Sequence, residues 1–369
     1  MSNSNSAKVR VAVLYGGRSA EHSVSCVSAG AIIAHLDPEK YEVIPVGITV
    51  DGAWVVGESD PERLRLIDRT MPEVQRREEI RPSLDPAHRG EFHFADGSLY
   101  ATADVIFPVL HGRFGEDGTI QGMFALSDIP VVGPGVLSSA AGMDKEFTKK
   151  LMAAEGLPIG REVILRDRAE LTDAEKKLLG LPVFVKPARG GSSIGISKVS
   201  SWDDLPAAVE LARLHDEKVI VESEIVGAEV ECGVLQYPDG RIVASLPAML
   251  RGTEDGEGGF YDFDTKYLDN VVTAEIPAPL DDATIELVQS LAVETFQALA
   301  CEGLARVDFF VTSNGPVLNE INTMPGFTPF SMFPSLWAAT GLPYAELVDE
   351  LVRLAIERFE HRSRHRRQR

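Results

Sequence analysis

Ala305-Arg306-Val307-Asp308-Phe309-Phe310, then Leu318-Asn319-Glu320-Ile321-Asn322, then Pro325-Gly326, is the stretch on which the reading of the fold turns. An aspartate sits inside an apolar run. After a Ser313-Asn314-Gly315 turn, a second apolar strand ends in Glu-x-Asn. Two strands joined by a tight turn carry Asp308, Glu320 and Asn322 to one place. Three oxygen ligands on rigid strands, with Arg306 beside them, suit Mg²⁺ that is itself bound to nucleotide phosphates. One such acid would read as the solvated rim of a hairpin; three at this spacing, flanked by apolar residues, read as a site.

The rest of the chain fits an enzyme of several parts. Its 369 residues exceed a usual single core, so two or three domains are expected. A formal charge of −20 argues against a nucleic-acid partner, because phosphate backbones demand a basic face. Cys26, Cys232 and Cys301 are far apart and odd in number, which gives neither a disulfide framework nor metal-type spacing. Reduced cytosol is the expected compartment. The polar run Met1 to Ser6 has no apolar core behind it for a signal peptide, and no run approaches the ~20 apolar residues of a membrane span. The basic end, residues 361–369, reads as a solvated tail behind an amphipathic helix.

Val9 to Tyr15 reads as a strand running into Gly16-Gly17, and a helix opens at Ser19 and Glu21 and reaches about Leu36. Tyr41 to Thr49 is a second strand. That βαβ rhythm predicts a parallel sheet with its ligand at the strand C-termini. Residues from about Asp60 to Ala101 are charged and Pro-punctuated, and read as a peripheral excursion. Further along come a strand at Asp104–Leu110 and a helix at about Asp144–Glu155. Leu181–Pro187 and Lys218–Glu222 are strands of an antiparallel sheet, and helices follow at about Asp282–Ala300 and Tyr344–Glu360.

Three further motifs carry chemistry. In Val185-Lys186-Pro187-Ala188-Arg189-Gly190-Gly191-Ser192-Ser193-Ile194-Gly195, a lysine leaves a strand and a Gly/Ser loop follows. Such a loop folds its amides over phosphate oxygens while the ammonium supplies charge. Lysine precedes the glycines and a strand comes next, so this is not a Walker A loop. Lys145 sits in a first helical turn, against the dipole, where an anion would compensate it. His111-Gly112-Arg113-Phe114-Gly115-Glu116-Asp117-Gly118 has the glycines for close backbone approach to a ligand. The strand Val219–Glu222 could present its backbone and Glu222 to an adenine and ribose.

Taken in order, Gly16-Gly-Arg-Ser-Ala-Glu21, His111-Gly-x-x-Gly-Glu-Asp-Gly118, Lys186-Pro-x-x-x-Gly-Ser-Ser-x-Gly195 and Arg306-x-Asp308 with Asn319-Glu320-x-Asn322-x-x-Pro-Gly326 spell a family. The chain strongly resembles the D-alanine–D-alanine ligases, which are ATP-grasp enzymes, from about Val9 to Arg358. The resemblance implies an α/β fold (α+β in part), with a three-domain ATP-grasp architecture and an N-terminal parallel-sheet βαβ domain. Its divisions would be 1–136, an N-terminal substrate-binding domain; 137–229, a central lid; 230–360, a C-terminal Mg-binding domain with an ω-loop at 251–268; and 361–369, the basic tail.

The same resemblance implies the site. ATP would lie between the central and C-terminal domains, with Lys145, Lys186 and Ser193 on its phosphates. Glu222, Ile225, Glu229, Phe260 and Phe310 would surround its adenosine. Asp308, Glu320 and Asn322 would bind two Mg²⁺ (or Mn²⁺) ions. Glu21 would meet the ammonium of a first D-alanine and His111 would stand beside it, with Arg306 and the Gly326 amide on the carboxylate. Lys266, Ser331 and Met332 would line the second D-alanine site. Tyr267 would join Ser192 and Glu21, and a tyrosine there favours a dipeptide over a D-alanyl–D-lactate product. A homodimer is implied by the family alone. Another ATP-grasp carboxylate–amine ligase, including a D-alanine–D-lactate ligase, is the alternative. A nicotinamide-dependent oxidoreductase fails because the Gly16-Gly17 turn lacks G-x-G-x-x-G spacing.

Overall fold

The computed structural model describes residues 7–252 and 273–367. The chain begins with β1 (Val9–Gly16), α1 (His22–His35), β2 (Tyr41–Ile48) and β3 (Trp54–Val56). It continues through β4 (Ile80–Pro82), β5 (Glu91–Phe94), β6 (Leu99–Thr102), β7 (Val105–Pro108) and α2 (Thr119–Leu126). β1 pairs in parallel with β2 and β7, giving the sheet order β3-β2-β1-β7. The βαβ reading therefore holds, and α1 ends one residue short of the expected stop. α1 is buried on most of its surface, because β1 lies on one side and residues 61–64 on the other.

The segment from Asp60 to Ala101 differs from a mere excursion. It builds a three-stranded antiparallel sheet, β4-β5-β6, whose Ile80 and Phe92 are fully buried against the β1–β2 side of the core. Val74 donates its N–H to His22 Nε2 at 3.0 Å, so the segment is also pinned near the end of β1. Strands of three or four residues among prolines and charges carry too little periodicity to be read from sequence.

Next come α3 (Val136–Met143), α4 (Lys145–Ala154), β8 (Glu162–Leu165), α5 (Asp173–Leu179), β9 (Val183–Pro187), β10 (Ser197–Val199), α6 (Leu205–Arg213) and β11 (Val219–Ser223). These strands form the antiparallel sheet β10-β9-β11-β8, over a core of its own that includes Val183, Val209 and Val221.

The chain then runs through β12 (Ala228–Gln236), β13 (Ile242–Ala244), β14 (Ala248–Arg251), β15 (Thr273–Glu275), α7 (Asp282–Ala298), β16 (Leu304–Thr312), β17 (Gly315–Asn322), α8 (Met332–Ala339) and α9 (Tyr344–Arg367). The third sheet is antiparallel, in the order β15-β14-β12-β16-β17 with β13 beside β12. α9 runs on to Arg367, so most of the basic run read as a tail is helical. It packs against α1 and β7 of the first sheet. Phe107 of β7 meets Phe327 edge to face at 6.2 Å, and Phe327 meets Tyr344 likewise at 6.1 Å. The first and third sheets thus share one core, whereas the central sheet has its own. Among the described residues no helix is long and apolar enough to cross a membrane.

Candidate active site

One face of the third sheet supplies the floor. Side chains two apart on a strand share a face, which puts Glu229 and Glu231 of β12, Arg306 and Asp308 of β16, and Glu320 and Asn322 of β17 on three neighbouring strands. The register sets Asp308 opposite both Glu231 and Glu320, and Arg306 opposite Asn322. A register shift between Asp308 and Phe309 marks a bulge at the site, where such irregularities re-aim side chains. On the other face, Val307 and Phe309 pack into a core that also holds Phe296 of α7. The alternation that made this hairpin legible is the same alternation that splits core from site.

Arg306 is buried and grips Asp308 with two bonds, Nε to Oδ1 at 2.8 Å and Nη2 to Oδ2 at 2.7 Å. Its Nε also lies 3.0 Å from Glu231 Oε2. Burial alone would weaken the charge, but Asp308 and Glu231 outweigh it and hold Arg306 protonated well above its ordinary range. Asn322 Nδ2 donates to Asp308 Oδ2 at 3.0 Å. Lys145 Nζ lies 3.3 Å from Glu320 Oε2 and donates to the Gly190 carbonyl at 2.8 Å. Glu320 is thus the carboxylate that stands beside this first-turn lysine.

Above the floor stand Lys186 and Lys149, both buried, with the Glu222 carboxylate bonded to each. Burial, then the ammoniums of Lys149 and Lys145, hold Lys186 well below the usual lysine range. Lys145, Lys149 and Lys186 are thus brought together, each beside a carboxylate of Glu320, Glu162 or Glu222. The cleft measures about 560 Å³ and is lined by Lys186, Ser193, Glu222, Ile225, Glu229 and Phe310, together with Asp308 and Glu320. Ser192 and Ser193 hold φ of 50° and 57°. Left-handed backbone at two successive non-glycine residues is strained, and such strain gathers at binding loops.

A smaller pocket of about 60 Å³ lies next to the cleft. Glu21, His111, Glu116, Lys145, Ser192, Arg306, Asn322 and Gly326 all reach it. Glu21 accepts from Ser192 Oγ. Gly112 (φ +70°) lies so near that a Cβ there would stand 2.7 Å from Glu21 Oε2. His111 is held in one tautomer: Nδ1 donates to the Met324 carbonyl at 3.0 Å, and Nε2 accepts from Ser28 Oγ at 3.1 Å. Ser28 Oγ in turn accepts from Phe327 N–H at 3.2 Å. His111 thus sets the backbone on both sides of Gly326, where a Cβ would come within 2.7 Å of Ser331 Oγ. Ser331 and Met332 line a further cavity of about 700 Å³ that also reaches Arg306 and Gly326. Phe260, Lys266 and Tyr267, with most of the expected 251–268 loop, lie outside the described residues.

The structure adds side chains that sequence reading did not assign. Glu231 sits two residues from Glu229, so strand periodicity was the available signal. Lys149 lies four residues after Lys145, on the same helix face. Glu116 sits inside the His111 motif and accepts from Gly112 N–H at 2.6 Å and Met324 N–H at 3.0 Å. Burial, and then the charge of Glu21, push its pKa up to about 8. A carboxyl raised in the folded state stabilises the fold below its unfolded value, near 4.5, and that contribution is lost as pH rises through about 8. The melting temperature of the wild type is therefore expected to fall relative to that of Glu116→Gln between pH 5 and pH 9. A constant gap between the two would contradict the assignment.

Among the described residues no three His, Cys, Asp or Glu side chains are grouped to cage a metal by themselves. The donors present fit a different arrangement. Asp308 and Glu320 face each other across β16 and β17, with the Asn322 amide adjacent, and these are hard oxygen donors of the kind Mg²⁺ prefers. Such an incomplete set suits an ion that takes its remaining oxygens from phosphates and water.

An antiparallel sheet carrying a glycine–serine loop, closed over a second sheet whose floor holds acids and an arginine, has the ATP-grasp fold. The family model described as D-ala D-ala ligase N-terminus matches residues 10–134, and that described as D-ala D-ala ligase C-terminus matches residues 151–353. A D-alanine–D-alanine ligase of Corynebacterium efficiens is 93% identical over 97% of this chain and 99% of its own length. Among solved structures, the D-alanine–D-alanine ligase from Coxiella burnetii superposes with a TM-score of 0.83 at 32% identity, covering 98% of each chain. The VanG D-Ala:D-Ser ligase from Enterococcus faecalis gives 0.80 at 36%, covering 94% of this chain and 99% of the other. The chain belongs to the D-alanine–D-alanine ligase family.

Proposed function

We propose that the chain joins two D-alanines at the expense of ATP, releasing ADP and phosphate, and so supplies the dipeptide for peptidoglycan precursors. The observation that carries this reading is the convergence of Glu21, His111, Arg306 and Gly326 on one small pocket beside a lysine-lined cleft. A zwitterionic amino acid fits that charge pattern, with its ammonium at Glu21 and its carboxylate at Arg306 and the Gly326 N–H.

The carboxylate oxygen of the first D-alanine would attack the γ-phosphorus of ATP. The bond to the bridging oxygen breaks, ADP leaves, and D-alanyl phosphate forms. The amine of the second D-alanine then attacks the acyl carbon, phosphate departs, and one proton is lost from nitrogen. Lys145, Lys186 and Ser193 would orient the phosphates; Glu222, Ile225, Glu229, Phe260 and Phe310 would surround the adenosine. Arg306 and the Gly326 N–H would face the oxyanion of the tetrahedral intermediate. Asp308, Glu320 and Asn322 would hold two Mg²⁺ (or Mn²⁺) ions, which when bound neutralise charge on the phosphates. Ser331, Met332 and Lys266 would receive the second D-alanine.

Tyr267 is assigned to join Ser192 and Glu21, and loop 251–268 to exclude water from the acyl phosphate. Tyr267→Phe is accordingly expected to lower turnover at saturating D-alanine, measured as ADP release; unchanged turnover would count against the assignment. A family relative that uses D-serine has the same fold, so the second substrate must be tested directly. Purified protein with ATP, Mg²⁺ and D-alanine is expected to release ADP and D-alanyl–D-alanine. A depsipeptide as the major product when D-lactate is added would favour the alternative ligase. The proposed domain divisions are 1–136, 137–229 and 230–360. Cytoplasmic residence is supported by three buried, unpaired thiols, and a homodimer, inferred from the family, is tested by solution mass.

A further inference from the structure

The cleft and pocket leave one buried charged network unused. Lys218, just before β11, is buried, and its Nζ donates to Asp144 Oδ1 at 2.7 Å and to Glu146 Oε2 at 2.9 Å. Asp144 is the N-cap of α4, whose next residue is Lys145. Two residues before Lys218, Asp216 accepts from the Arg189 N–H at 2.9 Å, and the Arg189 guanidinium grips both its oxygens at 3.0 and 2.6 Å. Backbone bonds close the ring: Ala188 N–H donates to the Lys218 carbonyl at 2.9 Å, and Lys145 N–H donates to the Ala188 carbonyl at 3.0 Å. One short segment, 216–218, therefore holds both the root of the glycine–serine loop and the start of the helix that carries Lys145.

We propose that Lys218 and Asp216 form a positioning brace that fixes Lys145 and the 188–195 loop relative to each other around the nucleotide phosphates. The inference rests on reading the cleft as the nucleotide site. Neither side chain lines the cleft, so each acts through Lys145 or the loop, and neither is a catalytic residue. The network joins the central sheet to α4, which itself packs against α7 and β17 of the third sheet, so it can hold the two phosphate-binding parts together even if the loop tip shifts. Its chemistry explains its position. A carboxylate cap favours the positive end of α4, yet Lys145 and the loop amides need that same region to remain attractive to phosphate. Lys218 cancels the charge of Asp144 at the point where it would otherwise repel the anion. Glu146 keeps Lys150 and Arg166 as further partners, so removal of Lys218 leaves Asp144, more than Glu146, uncompensated.

The test is calorimetric titration of the full chain in Mg²⁺ buffer with ADP and, separately, with adenosine. A brace for phosphate-binding groups is expected to affect ADP and spare adenosine, whereas general loosening of the domain weakens both. For Lys218→Met, ADP affinity is expected to fall about tenfold or more, with adenosine within about twofold; tenfold corresponds to about 1.4 kcal/mol. Lys218→Arg is expected to recover most of the loss. Asp216→Asn, which keeps the side chain's shape, is expected to lower ADP affinity selectively by several-fold. Equal discrimination between ADP and adenosine in wild type and in both variants would overturn the brace and leave the ligase reading intact. A wild type that binds ADP no better than adenosine would instead overturn the reading of the cleft. Loss of the fold in both variants would also contradict the brace, since a network on which the whole fold depends is not a device specific to the phosphate-binding groups.

Discussion

Arg306→Met is expected to cost catalysis and stability together. The guanidinium is buried between Asp308 and Glu231, so its removal leaves two carboxylates facing each other without a cation. Breaking a buried pair in this way typically costs about 3–5 kcal/mol. The oxyanion of the reaction would lose one of its two donors, an effect of about 10²–10³ on turnover. Lysine is expected to rescue part of the stability and little of the rate, because it cannot reproduce the fork that grips both Asp308 oxygens. Measuring melting temperature and kcat on Arg306→Met and Arg306→Lys separates the two effects. A methionine variant with near wild-type kcat would remove Arg306 from the proposed chemistry.

Glu320→Ala is expected to abolish D-alanine-dependent ATP turnover, with a loss of at least about 10³-fold, or about 4 kcal/mol of barrier. Glu320 faces Asp308 across the hairpin and lies 3.3 Å from Lys145. Its removal takes away one of two carboxylates for the proposed ions and the anion beside a helix-start lysine. The fold is expected to survive, since Glu320 is only partly buried at the rim of the floor and the core lies behind it. ADP release by the folded variant at most of the wild-type rate would contradict the assignment of the acid hairpin to metal binding.

The parts of the site legible in the sequence were those whose geometry is local. Alternation along β16, the 313–315 turn and the Glu-x-Asn ending put Asp308, Glu320 and Asn322 on one face without knowledge of the rest of the chain. The lysine–glycine loop was equally local, and its following strand, β10, appears where the spacing predicts it. What escaped depends on register between distant strands. Glu231 matters because β12 lies beside β16, some seventy residues away, and nothing in its neighbourhood announces Arg306. Glu116 was visible as a letter of a motif, but its enclosure between Gly112 and Met324 joins segments far apart in the chain. The β4–β6 sheet was missed because its strands are too short for a period to emerge. The extra turns of α9 were missed because a basic, polar run gives no apolar stripe once packing against the first sheet ends. Local propensity still allows helix there, since arginine is a good helix former.

The most direct measurement uses D-alanine labelled with ¹⁸O in its carboxylate, incubated with the enzyme, ATP and Mg²⁺, with mass analysis of dipeptide and phosphate. Formation of D-alanyl–D-alanine together with phosphate carrying one ¹⁸O is the expected result, because the attacking carboxylate oxygen leaves with the phosphoryl group. Dipeptide accompanied by unlabelled phosphate, or labelled substrate returned unchanged by a folded, ATP-binding protein, would contradict it.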